Sequence, residues 1–294
     1  MAIRNHNKGR TGFTLMELLV VIAIIMALIG ILVPGIRGVK RIAKNLEQKS
    51  LFHNLEIGLE TYRKDFGDFP ESSRKGSGPY FCGAQHLAEA MVGRDSRGFE
   101  PRQSRKWTWA ATSGSDLYTT EPKSLARRKP LYVNLKDTGA FVPGKLYDDT
   151  GDVVSETSGT PIQYAPVLAD MFYRKKILTA NNETVKVGSP ILYFKANTSS
   201  KVFFKDQPAS GRTDFEKWKF NYKDNEAIVE LGTIEKAVSA EDPLQLTPEE
   251  FYKSITDLNA PFDRPLNETT FILISAGYDG IFGTKDDVTN IKIK

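Results

Sequence analysis

Residues Arg10–Pro34 read RTGFTLMELLVVIAIIMALIGILVP, and no charged or strongly polar side chain stands between Leu18 and Val33. Counted from Phe13 to Val33, the run reaches about 31 Å as a helix rising 1.5 Å per residue, enough to cross the hydrocarbon core of a bilayer. The sequence therefore predicts a membrane-spanning helix over 13–33.

The front edge of this run is unusual. Arg4, Lys8 and Arg10 form a basic leader without an acid, Gly12-Phe13 follows, and a single carboxylate, Glu17, lies inside the apolar stretch. A secretory signal peptide places its small-residue cleavage site after the apolar region; here the processing site lies before it. Cutting between Gly12 and Phe13 would remove the charged leader and leave a free amine on Phe13, one helical turn from Glu17. Thr14-x-x-Glu17 is also the form of a capping box, in which the two side chains satisfy N–H groups at the helix start. A carboxylate costs about 2.5–3.5 kcal/mol at the bilayer centre and needs a partner.

Gly12, Phe13, Glu17 and the helix-breaking Pro34 together resemble the class III signal of type IV prepilins and type II secretion pseudopilins. The resemblance implies that a prepilin peptidase cuts after Gly12 and methylates Phe13. It also implies that Glu17 pairs with the Phe13 amine of a neighbouring subunit as the helices pack into a filament.

Past Pro34 the apolar pattern changes. Leu51, Leu55, Leu59, Tyr62 and Phe66 recur at steps of three and four, while Lys44, Glu47, Lys49, Glu56 and Lys64 occupy the other faces, so one helix runs to Phe66 and becomes amphipathic where lipid gives way to a packed domain. Pro34 has no N–H to donate, and Gly30 and Gly35 lower helix propensity, which predicts a kink or a locally melted turn there. Asp65-Phe-Gly-Asp-Phe-Pro70 ends the helix and is similar to the D-x-G-x-[YF]-P turn of major, G-type pseudopilins.

The remainder reads as an α+β domain. Ala84–Val92 has a short helical pattern. Arg94–Lys106 is basic and leads to Trp107 and Trp109, expected as a solvated loop with two core tryptophans. Leu131–Leu135, Pro161–Ala165, Ile191–Ala196, Val202–Lys205 and Thr270–Ser275 are β-rich runs without regular intervening helices, the pattern of an antiparallel sheet. Gly159–Tyr164 faintly resembles a strand entry of G-type pseudopilins. Thr247-Pro-Glu-Glu250 combines an N-cap, a proline at N1 and a glutamate at N3, which opens a helix to about Asp257. The expected organisation is a leader over 1–12, a long helix over 13–66, and a globular pilin-like domain with insertions over 67–294.

The strand at 270–275 runs into AGYDGIFGTKDDVTN, residues 276–290, where Asp279, Asp286 and Asp287 fall among Gly277, Gly280 and Gly283. Calcium takes six to eight oxygens from carboxylates and carbonyls, and glycine turns let carbonyls point inward. Taken singly, Asp279-Gly280 is a common turn and Asp286-Asp287 a solvated corner. The stretch 275–290 resembles the C-terminal loop of G-type pseudopilins, S-x-G-x-D-G-x-x-G-T-x-D-D-[VI]-x-N. That resemblance implies bound calcium, with Asp279, Asp286 and Asp287 as side-chain ligands and carbonyls such as those of Ile274, Ser275 or Val288 beside them.

Composition limits the alternatives. The net charge is +4, and setting the leader's three basic residues aside leaves 37 Lys and Arg against 36 Asp and Glu, so bulk attraction to nucleic acid is not indicated. The lone Cys82 permits no internal disulfide. With His86 four residues on, it supplies two metal donors where a zinc site needs three or four. The chain has no Gly-x-Ser-x-Gly elbow, P-loop or HExxH.

The expected function is a non-enzymatic structural subunit. It is cleaved, N-methylated, held in the bacterial inner membrane with its N-terminus cytoplasmic and its domain periplasmic, and polymerised with other pilin or pseudopilin subunits on an inner-membrane assembly platform for type II secretion. The basic leader fits that orientation. A minor type IV pilin, or a periplasmic enzyme or binding domain anchored by a prepilin signal, are the alternatives.

Overall fold

The structure is a computed structural model that describes residues 14–72, 81–101, 118, 122–135, 138–147, 165–178, 182–201, 217–234, 246–257 and 264–291, with backbone alone at 34 and 37. The chain divides into two compact units, one up to Ala43 and one from Lys44. Helix α1, Leu15–Phe66, belongs to both.

In the first unit α1 is apolar on every side from Leu18 to Val33. Its most apolar window has a mean hydropathy of 3.0 and is 0 % buried, so the unit offers a helix long and apolar enough to cross a membrane and no protein of its own to cover it. Helical backbone runs unbroken through Gly30, Pro34 and Gly35, so the locally melted turn expected at Pro34 is absent. Proline withholds one N–H from a ladder in which the other residues keep theirs, a loss that the helical backbone bears without unwinding.

The second unit is built on one strand. Strand β6, Phe271–Ser275, is buried along its whole length and lies between β5, Leu192–Lys195, and β7, Val288–Thr289, in antiparallel order β5-β6-β7. Successive side chains of a strand point to opposite faces, and both faces are covered. Phe271, Leu273 and Tyr193 join a core with Leu51, Leu55 and Leu59 of α1 and with Leu87 and Met91 of α2, Gly83–Val92. Ile272, Ile274, Leu192 and Phe194 join another with Trp218, Phe220, Ile228, Phe251 and Ile255. That is why FILIS is a continuous apolar run and does not alternate with polar residues. The expected stripe is thus the inner face of α1: Leu55 and Leu59 are wholly buried and Tyr62 nearly so, each such side chain contributing about 1.5–3 kcal/mol by leaving water. Gly67 closes the helix, its N–H donating to the Arg63 carbonyl at 2.7 Å.

Short elements fill in the rest. Helices α3, Pro122–Leu125, and α4, Pro143–Leu146, are single turns. Strand β1, Ala140–Phe141, pairs with β2, Val167–Leu168, and β3, Lys175–Leu178, forms a hairpin with β4, Thr184–Val187. A 3-10 turn at Tyr222–Asp224 precedes α5, Glu226–Glu230. Helix α6, Pro248–Ser254, starts with the expected capping box: the Glu250 N–H donates to Thr247 Oγ1 at 3.2 Å and the Thr247 N–H to Glu250 Oε2 at 3.0 Å.

Of the expected strands, 191–196 and 270–275 are present and all named pairings are antiparallel. Leu131–Leu135 is not a strand. Only Val133 in it is fully buried, and Tyr132 spends its N–H on the Met91 carbonyl at the end of α2, at 2.9 Å, so the segment has no ladder partner and packs as a loop over α2. Residues 161–164, 202–205, the strand entry at 159–164 and Trp107 and Trp109 lie outside the described residues.

Candidate functional site

Two regions carry the candidate chemistry. At the start of α1, Glu17 Oε2 accepts both the Thr14 N–H and the Thr14 hydroxyl at 2.9 Å, and the Glu17 N–H donates back to Thr14 Oγ1 at 3.2 Å. The local reading of Thr14-x-x-Glu17 as a capping box is therefore realised, and it occupies one carboxylate oxygen. Oε1 accepts no hydrogen bond among the described residues. Gly12 and Phe13 lie outside them.

The second region is the turn between β6 and β7, which brings Asp279, Asp286 and Asp287 together. Asp286 Oδ2 accepts the Asp279 N–H at 2.9 Å and Oδ1 the Thr284 hydroxyl at 2.6 Å. Asp279 Oδ1 accepts the Ile281 N–H at 2.9 Å, and Asp287 Oδ2 the Gly283 N–H at 2.8 Å. Asp287 Oδ1 is buried without a hydrogen-bond partner. Burial, with repulsion from Asp279 and Asp286, pushes the Asp287 carboxyl up to about 7. Burial also raises Asp279, further raised by Asp286 beside it. On Asp286 burial acts in the same sense, but donors from Thr284, Asp279 and Tyr278 outweigh it and hold that carboxyl below its ordinary range. One loop thus gathers three acids, and the charge on Asp286 disfavours charge on the other two.

Two glycines shape this turn. Gly277 has φ +60° and Gly280 φ +77°, backbone conformations that side chains resist. A Cβ on Gly277 would lie 2.0 Å from the Asp286 carbonyl oxygen, so the two ends of the loop touch there.

The fit to a cation is one of donor chemistry. Among the described residues no three His, Cys, Asp or Glu side chains are grouped at metal-holding geometry, because Asp279 and Asp286 are turned onto loop N–H groups. Of the carbonyls named from sequence, those of Ile274, Ser275 and Val288 belong to the paired residues Ile274↔Thr289 and Ser275↔Val288. Among the described residues of this turn, Asp287 Oδ1 is the buried side-chain oxygen without a hydrogen-bond partner.

Sequence reasoning missed the residues that hold this loop. Asp170, buried before β3, accepts the Ser275 hydroxyl on Oδ2 at 2.7 Å; burial pushes its carboxyl up to about 7 against the pull of these donors and of Arg174. Arg174 donates from Nη2 to the Gly277 carbonyl at 2.6 Å. Neither residue sits in a pattern that marks it. Asn290, the last residue of the quoted loop pattern, accepts the Leu273 N–H at 2.8 Å and donates to Glu56 on α1 at 3.1 Å. Cys82 precedes α2 and His86 lies within it; burial pushes the thiol up to about 12 and, with Arg94 nearby, the imidazole down to about 3.

No curated protein and no solved structure matches the chain. Residues 7–33 match the prokaryotic N-terminal methylation motif, a span that contains Gly12, Phe13 and Glu17 and ends at Val33. The chain carries a type IV prepilin-like signal on a helix long and apolar enough to anchor it in a membrane.

Proposed function

We propose that this protein is a prepilin-like structural subunit, cut after Gly12, N-methylated on Phe13 and polymerised into a periplasmic pseudopilus for type II secretion. The observation that carries the reading is the apolar helix of α1, uncovered by protein and headed by one carboxylate directly behind Gly12-Phe13. Cleavage leaves the Phe13 amine as a cation at the membrane, and the Glu17 oxygen that capping does not use can accept it from a neighbouring chain. Polymerisation exchanges lipid for helix packing on the apolar faces of α1, and pairing the two charges offsets the cost of holding Glu17 in that setting. The basic leader supports an orientation with the N-terminus in the cytoplasm and the second unit in the periplasm.

The reading extends to calcium in the turn between β6 and β7. Asp287 supplies a buried oxygen in need of a partner, and Asp279 and Asp286 would turn from loop N–H groups toward the ion. A divalent cation there would offset the repulsion that Asp286 exerts on Asp279 and Asp287 and order the C-terminal end of the fold. The 275–290 pattern and the lone Cys82 favour secretion over a pilus.

Co-expression of the full chain with a prepilin peptidase tests the core of the proposal. Mass spectrometry of the product should show a chain beginning at N-methylated Phe13, and Gly12→Val should block its formation. An uncleaved wild-type chain, or cleavage after the apolar run, would sink the reading.

A further inference from the structure

Among the described residues two aromatic rings stand exposed, Tyr173 at 48 % and Tyr278 at 59 %. Far apart in sequence, they end on neighbouring segments. Arg174, directly after Tyr173, donates from Nη2 to the carbonyl of Gly277, directly before Tyr278, at 2.6 Å.

Their place in the second unit is fixed from two directions. The Met171 N–H donates to Gln48 Oε1 of α1 at 2.8 Å, and the Lys44 ammonium lies 4.5 Å from the centre of the Tyr173 ring, so this segment runs along α1 from Gln48 toward Lys44. Strand β6 runs the same way. Its first residue, Phe271, packs on Phe69 beyond the other end of α1, ring centroids 5.0 Å apart, and its last, Ser275, donates to Asp170 Oδ2 at 2.7 Å, one residue before Met171. Both tyrosines therefore belong to the end of the unit that starts at Lys44, where Leu46 is also exposed.

Along the chain, that end is the one nearest the apolar run. Lys44 follows Val33 by eleven residues, about 16 Å along a helix rising 1.5 Å per residue. The headgroup layer reaches about 5–7 Å beyond the hydrocarbon, and spanning helices tilt by up to about 40°, which brings side chains at this end within reach of it. The residue types suit that setting. Tyrosine gathers at membrane–water interfaces, where the ring lies among headgroups and the hydroxyl stays wet. Lys44 adds a cation for lipid phosphate. Asp279, exposed beside Tyr278, needs water and so sets the depth at the headgroups, short of the hydrocarbon.

We infer that the face bearing Tyr173 and Tyr278 rests on the phospholipid headgroups of the membrane that α1 crosses, an inference that relies on the reading of α1 as a membrane span. Tethering makes a weak contact sufficient, because a surface linked to its target by a short segment meets it at high effective concentration. The contact orients the second unit on the bilayer before polymerisation, and withdrawal into a filament breaks it.

Depth-dependent quenching tests this in the full chain, placed in lipid nanodiscs at one copy per disc. An environment-sensitive fluorophore is attached to Tyr173→Cys, Tyr278→Cys, Leu28→Cys or Lys64→Cys, the last exposed and about 30 Å along α1 from Lys44; the native Cys82 is buried. Lipids carrying a nitroxide on the headgroup should extinguish the emission at 173 and 278 and leave that at 64 unchanged, while a nitroxide deep in the acyl chain should extinguish that at 28. Tyr173→Ser in the chain labelled at 278, and Tyr278→Ser in the chain labelled at 173, should each lower the quenching. Quenching at 28 but not at 173 and 278 would overturn the inference and leave the membrane span standing; no quenching at 28 would overturn the span and the docking face with it. Equal quenching at 64 would mean that the unit has no preferred face, and quenching unaffected by either serine would mean that the rings do not hold it, both of which overturn the proposal. An emission shift at 173 and 278 that needs several chains per disc and no lipid quencher would assign the face to a second copy instead.

Discussion

Asn290 Nδ2 donates to Glu56 Oε1 at 3.1 Å, joining the end of the acidic turn to helix α1 across 234 positions of sequence. The same Asn290 side chain accepts the Leu273 N–H at 2.8 Å, and its main-chain N–H donates to the Leu273 carbonyl at 3.3 Å. One residue therefore ties β6, the turn and the buried stretch of α1 together. Asn290→Ala removes two side-chain bonds and leaves the Leu273 N–H without its acceptor, at a cost of about 1–3 kcal/mol. Glu56→Gln keeps an acceptor and should cost less. Urea unfolding followed by tryptophan fluorescence would rank them.

Leu59 and Leu28 are the same residue type on one helix with opposite surroundings, Leu59 wholly buried and Leu28 62 % exposed. Leu59→Ala should destabilise the second unit by about 2–5 kcal/mol through lost burial and a cavity. Leu28→Ala leaves that unit's unfolding midpoint unchanged. Parallel denaturation curves in detergent check the contrast, and equal effects would contradict the division of α1.

His86 gives a pH dependence with a definite sign. Burial, aided by Arg94, depresses its folded-state value to about 3 from 6.5, so between those values the unfolded chain holds a proton that the native chain does not. Stability contributed by neutral His86 is present above pH 6.5 and is lost as pH falls toward 3, with a slope of at most about 1.4 kcal/mol per pH unit for one proton. Glu89, raised by its own burial, acts in the opposite sense, so the comparison must be internal. His86→Gln should flatten the acid limb relative to wild type in melts taken from pH 7 to 4.

Calcium should raise the melting temperature of the full chain. A ligand that binds only the native state adds about 2.7 kcal/mol at a hundredfold excess over its dissociation constant. With Asp286→Ala and Asp287→Ala together the rise should vanish. No rise in wild type would reduce the turn to a hydrogen-bonded corner.

Several features were legible in the residues because their causes are local. The charge-free run, the stripe of Leu51, Leu55, Leu59 and Tyr62, and the caps at Thr14 and Thr247 each depend on neighbours within one or two helical turns. Strand 270–275 was legible because burial on both faces leaves five apolar or small residues in a row. The hairpin Lys175–Leu178 with Thr184–Val187 was passed over, since only Ile177 and Val187 in it are fully buried and lysines interrupt its alternation. Leu131–Leu135 showed the reverse, β-forming side chains without a strand to pair with.

Sequence by itself determined the helix long and apolar enough to cross a membrane, its prepilin-like front edge, the α+β class and the acidity of the C-terminal turn. Only the tertiary structure decided that α1 and α2 cover one face of β6 while Trp218 and Phe251 belong to the core on the other, and that Asp170, Arg174 and Glu56 reach the turn from far along the chain. The reason is one of range. Hydropathy and capping act through residues adjacent on the same helix. A buried carboxylate or guanidinium takes its partner from whatever backbone the packed sheet brings within about 3 Å, and no spacing along the chain records that choice.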